Sequence, residues 1–109
     1  MNSNNLIADK HHIPLSKYKS SKVLELLKNG VSRKRLSIEV EHYQGAPLED
    51  LEGKRYGYWL IDRYVNDSGE NSLKLNDRHL SGDIKIDLEA RRIRRKQRAS
   101  DCLKRITER

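Results

Sequence analysis

With one cysteine, one tryptophan, one methionine, two prolines and no phenylalanine among 109 residues, the chain lacks several of the usual means of stabilising a small domain. Cys102 alone cannot close a disulfide within the chain. A domain of this size made for an oxidising compartment usually carries several bridges, so a reducing, cytoplasmic setting is expected. No apolar run approaches the roughly 20 residues of a membrane span, and the start, Met1 to Lys10, is polar and has no signal-peptide core. A soluble protein without a membrane partner is expected.

Catalytic signatures are equally scarce. His11, His12, His42 and His79 do not have zinc-ligand spacing, and Cys102 has no cysteine partner. There is no glycine-rich phosphate loop and no serine nucleophile elbow, so no catalytic residue, metal or cofactor is expected and the chain is read as a non-enzyme. Asp83-Ile84-Lys85 with Asp62 or Glu41 faintly resembles the carboxylate and lysine set of metal-dependent nucleases. Such triplets arise by chance in a chain this charged, and ordinary polar strand positions are the preferred reading.

Charge is what the chain has in abundance. Asp, Glu, Lys and Arg make up 36% of the residues, against about 25% in an average globular chain. The hydrophobic fraction of 35% implies a small core. The net charge of +7 is unevenly distributed. Residues 16 to 35 hold seven basic groups against Glu25, a net +6; residues 36 to 88 hold six against eleven acids, a net −5; residues 89 to 109 hold nine against three, a net +6. Two basic ends thus bracket an acidic middle. Pairing between them can neutralise much of the charge at about 0 to 1 kcal/mol per exposed pair, yet a surplus must remain.

Residues 1 to 14 have no periodicity and read as a flexible arm, leaving 15 to 109 as one domain. Leu15, Tyr18, Val23, Leu24, Leu26 and Leu27 share one helical face that ends at Asn29-Gly30, a left-handed stop, which predicts a helix over about 16 to 29. Alternation of Leu36, Ile38 and Val40 with polar residues predicts a strand. Arg55 to Val65, rich in Tyr, Trp, Ile and Val, predicts a second strand that turns at Asn66 to Gly69 towards a partner beginning at Leu73 and Leu75. Ile84, Ile86 and Leu88 alternate again and predict another strand. Ala99, Cys102, Leu103 and Ile106 fall at helical spacing. The expected fold is α+β: an N-terminal helix, a three- or four-stranded antiparallel sheet and a C-terminal basic helix. That order of elements is similar to the double-stranded RNA-binding domain and to the arm-binding domains of some integrases; their motif residues are absent, so the resemblance transfers no functional residue.

The strongest local signal is Arg91-Arg92-Ile93-Arg94-Arg95-Lys96-Gln97-Arg98. On a helix, Arg92 and Arg95 fall on the line that Ala99, Leu103 and Ile106 continue as apolar, so the first turns have no core-facing stripe. A nucleic acid would neutralise such a segment, because guanidinium groups fork onto phosphates and stack on bases. The leading expectation is a small nucleic-acid-binding regulatory or accessory protein, of DNA or RNA. Its contacts are assigned to Arg91, Arg92, Arg94, Arg95, Lys96 and Arg98, assisted by Arg33, Lys34 and Arg35. Tyr56 and Tyr58 are candidate base-stacking residues, although cross-strand packing is the commoner use of tyrosine in a sheet. Two rivals stand beside this reading. One is an inhibitor or adaptor whose basic face docks on the acidic surface of a protein partner. The other is a helix-turn-helix regulator in which residues 20 to 28 and 32 to 40 are both helical and Arg33, Lys34 and Arg35 open the recognition helix.

Overall fold

The computed structural model describes residues 12–40 and 45–107, with side chains up to Lys104. Most of the expected arm, together with Glu41 and His42, lies outside the described residues. The elements run α1 (Lys19–Lys28), β1 (Val31–Ser32), α2 (Arg33–Glu39), α3 (Ala46–Glu52), β2 (Ile61–Val65), β3 (Asn71–Leu75) and α4 (Ile84–Thr107). Short 3-10 turns occupy Lys54–Tyr56 and Asp77–Leu80. The protein is α+β with a three-stranded antiparallel sheet, ordered β1-β3-β2, and a long basic C-terminal helix.

The first helix follows its hydrophobic pattern. Val23, Leu24 and Leu27 are buried, and Gly30 takes φ +85° to turn the chain into β1. The positive φ is what calls for glycine there; a methyl at position 30 would also come within 2.6 Å of the Tyr64 hydroxyl, which would have to move aside. The hairpin is as the sequence predicts: β2 pairs with β3 from Ile61↔Leu75 to Val65↔Asn71, and Asn66 organises the turn by accepting from the Ser68 and Glu70 amides.

Two predicted strands are helices instead. Leu36 to Val40 belongs to α2 and its C-cap, because Ser32 caps the helix by accepting from Arg35 N–H at 3.0 Å. Leu36 and Val40, four residues apart, are buried on one side, and Ile38 is 70% exposed. Alternation therefore misread an i, i+4 pair with an exposed β-branched residue between its members. Ile84 to Leu88 opens α4. Asp83 Oδ1 accepts from Lys85 N–H at 2.9 Å, and the inward position is the polar Asp87, while Ile84, Ile86 and Leu88 are exposed. The second predicted strand starts later than expected, at Ile61, since Lys54–Tyr56 is a 3-10 turn and Gly57 and Tyr58 both have positive φ. Within the expected frame of an N-terminal helix, an antiparallel sheet and a C-terminal helix, two further helices, α2 and α3, stand between β1 and the hairpin.

The core is small. Side chains from α1, α2 and α3 pack with Trp59, Ile61, Leu73 and Leu75. From α4, among the described residues, only Ala90 joins the buried apolar residues. The end of the expected arm is not free either, since Pro14 is buried and the His12 carbonyl accepts from Trp59 Nε1–H at 2.8 Å. Among the described residues no helix is long and apolar enough to cross a membrane.

Candidate nucleic-acid interface

A helix whose first turns have no apolar stripe needs another reason to dock, and α4 docks through a buried polar chain. Leu60 N–H donates to His79 Nε2 at 2.9 Å, which leaves the imidazole proton on Nδ1, donating to Asp87 Oδ1 at 2.8 Å. The second carboxylate oxygen of Asp87 accepts from Arg91 Nε–H at 2.9 Å. Arg91 Nη1 in turn donates to the carbonyls of Gly57 (2.9 Å) and Tyr56 (3.3 Å), and its guanidinium lies 4.0 Å from the Trp59 ring centroid. His79, Asp87 and Arg91 are all at most 5% exposed. Burial, aided by the charge of Arg91, pushes the His79 imidazole below its ordinary range against the opposing hydrogen bond to Asp87. Burial works to raise the Asp87 carboxyl, and the hydrogen bonds from His79 and Arg91 outweigh it and hold the group below its ordinary value.

This pin corrects the assignment of Arg91, which cannot reach a phosphate while its guanidinium is sandwiched between Asp87, two carbonyls and Trp59. Arg94 is largely engaged as well. Its Nε donates to the Glu52 carbonyl at 3.1 Å, and its Nη2 lies 3.9 Å from the Glu52 carboxylate. The same buried carboxylate meets Arg63 of β2 at 2.8 Å, so Glu52 ties hairpin and α4 together through two arginines. Sequence reading missed both hubs. Histidine, aspartate and arginine at positions 79, 87 and 91 carried a weak signal in the i, i+4 spacing of the last two, and nothing marked Glu52.

The remaining sequence-assigned cations sit outside. Arg33, Lys34 and Arg35 are exposed along the first turn of α2, with Arg35 paired to Glu39 at 3.2 Å. Arg92, Arg95, Lys96 and Arg98 are exposed on α4. Among the described residues none of these except Arg35 is held in an ion pair. The two clusters are linked across the surface rather than isolated. Arg33 and Arg63 line one shallow groove with Tyr64, and Arg63 contacts Glu52, which contacts Arg94, one helical turn before Arg98. The acidic α3, with Glu49, Asp50 and Glu52 and no base, lies at this junction.

Of the tyrosines, Tyr56 is buried in the core and is corrected from a stacking residue to a packing one. Tyr58 is half-buried with φ 60°, and is the one non-glycine residue of positive φ among those described. It lines a groove of about 560 Å³ against α4, facing Lys85, Leu88, Arg92 and Arg95. Asp83 and Lys85 are exposed at the start of a helix, and Asp62 is hydrogen-bonded by Asn76 Nδ2, so the strand geometry of the nuclease-like triplet is absent. Among the described residues there is no group of three or more metal-ligating side chains. No protein-family model, curated protein or solved structure matches the chain.

Proposed function

We propose that this chain is a small nucleic-acid-binding protein that grips a phosphate backbone with Arg92, Arg95, Lys96 and Arg98 of α4, assisted by Arg33, Lys34 and Arg35 of α2. One observation carries the reading: after Arg91 and Arg94 are spent on internal contacts, four closely spaced cations on α4 remain exposed without a carboxylate partner among the described residues. Guanidinium and ammonium groups left in this state repel one another, and a polyanion relieves that repulsion with release of its own counterions. A reducing, cytoplasmic setting belongs to the same reading, since the single Cys102 is exposed.

A second reading rests on a different observation. Residues 19–28 and 33–39 are both helical, joined through Gly30 and the two-residue strand β1, and Ser32 caps α2 with Arg33, Lys34 and Arg35 exposed along its first turn, where a recognition helix would carry its contacts. In that case α2 is the principal contact and α4 a support. Two variants separate the readings in a fluorescence titration of labelled 20-nucleotide DNA at low salt. Replacing Arg92, Arg95, Lys96 and Arg98 with Ala should weaken binding at least about tenfold with an unchanged unfolding midpoint. A larger loss in the Arg33→Ala, Lys34→Ala, Arg35→Ala variant would favour the helix-turn-helix reading. Unchanged affinity in both variants would reject a backbone contact by either helix. A pull-down partner that survives complete nuclease treatment would point to a protein instead.

A further inference from the structure

Between the 3-10 turn after α3 and the outer side of α4 lies a groove whose lining is more specific than a basic surface. One wall is Gly57-Tyr58, two successive residues in the left-handed region at φ 77° and 60°. For Gly57 the conformation is free, and a Cβ there would require the His12 imidazole to shift. For Tyr58 it costs of order 1 kcal/mol, a strain that persists only where surrounding contacts impose it. Those contacts are visible: Tyr58 N–H donates to the Gly53 carbonyl at 3.0 Å, Trp59 N–H to the Leu51 carbonyl at 2.9 Å, and the Gly57 carbonyl is held by Arg91. The backbone that carries Tyr58 is thereby fixed at the groove wall, in part by the Arg91 that docks the helix opposite it.

The other wall is α4. Lys85, Leu88, Arg92 and Arg95 fall on one side of the helix, three cations around an apolar residue that is 53% exposed, and Glu89 is the single acid in the lining. An aromatic ring, an exposed apolar contact and three cations within one groove are the complement of a ligand that is flat and apolar at one end and anionic at the other. The groove's size of about 560 Å³ falls in the range of roughly 300 to 1,000 Å³ typical of small-ligand sites.

We infer that this groove is a nucleotide subsite that takes an unpaired base of a single-stranded segment, the base stacking on Tyr58 and resting on Leu88 while Lys85, Arg92 and Arg95 hold the adjoining phosphates. The inference rests on the nucleic-acid reading above and deepens it by naming the strandedness of the ligand. A base within a duplex is already stacked on both faces and cannot enter; an unpaired one can, at little cost.

The test is a fluorescence-anisotropy titration of the full chain with two labelled probes, a 12-nucleotide oligo(dT) and a 12-base-pair duplex. Oligo(dT) should bind at least as tightly as the duplex. Tyr58→Ala should lower oligo(dT) affinity about tenfold and change duplex affinity less than about twofold, while Tyr58→Phe should keep the wild-type value because the ring and not the hydroxyl makes the stack. Leu88→Glu, at an exposed position that does not threaten folding, should also weaken oligo(dT), by placing a carboxylate in the groove. Wild-type binding to oligo(dT) by both Tyr58→Ala and Leu88→Glu, or a marked preference for duplex, overturns the subsite and leaves backbone binding standing. Failure of the wild-type chain to bind either probe removes both.

Discussion

Arg91 and Arg92 are adjacent in sequence and opposite in role. The first is 5% exposed and fastened to Asp87, and the second is exposed to solvent with no ion pair among the described residues. Their density was plain in the sequence, but their division was not, because it depends on the phase with which α4 meets the fold. That phase is set by His79 and Asp87 and not by any apolar stripe. The pin makes two predictions. Asp87→Asn leaves the buried Arg91 guanidinium without its counter-charge, and should cost about 3 kcal/mol of unfolding free energy in urea titration; a cost below about 0.5 kcal/mol would show that the pin is not structural. The pH dependence follows from the direction of the shifts. With the folded-state value of His79 below its ordinary 6.5, the unfolded chain binds the extra proton first. The stability this group contributes is therefore complete above about pH 6.5 and declines as pH falls towards the folded-state value. Asp87, also lowered, adds a further loss only below its ordinary 3.8. Protonation would also turn Nε2 into a donor facing the Leu60 N–H, with Asp62 too exposed to compensate. A urea midpoint measured from pH 8 to pH 5 should be flat above about 6.5 and fall below it in the wild type, and should lose that step in His79→Gln.

At the scale of elements, helix and strand compete for the same short apolar runs, and alternation was a poor arbiter twice. Leu36, Ile38 and Val40 alternate, as do Ile84, Ile86 and Leu88, yet both segments have a side-chain cap at the helix start, Ser32 in one and Asp83 in the other. Capping decided the conformation where periodicity was ambiguous. The α1 helix with its Gly30 stop and the β2–β3 hairpin were legible because turn chemistry and pattern agreed there. In α4 the apolar residues Ala99, Cys102 and Leu103 remain exposed, and residues 95–104 are exposed throughout. The helix has 24 residues and is about 36 Å long, and in its distal half Arg98, Asp101 and Cys102 line a second groove with Glu49 and Glu52 of α3.

For the whole molecule, the net charge of +7 is shaped by where its acids go. Asp87 and Glu52 neutralise arginines inside, Glu39 and Asp50 pair on the surface, and α3 places its acids at the junction of the two basic segments. What remains outward is a row of cations on α4, together with those of α2. The most direct test of this account is the slope of log K against log salt for 20-nucleotide DNA, between about 50 and 200 mM. Each phosphate contact contributes about 0.7 to the slope on single strands and about 0.9 on a duplex. The wild type should give a slope of at least about 3 in magnitude, and the Arg92→Ala, Arg95→Ala, Lys96→Ala, Arg98→Ala variant should lose most of it. A slope near zero, or the same slope in wild type and variant, would contradict the account.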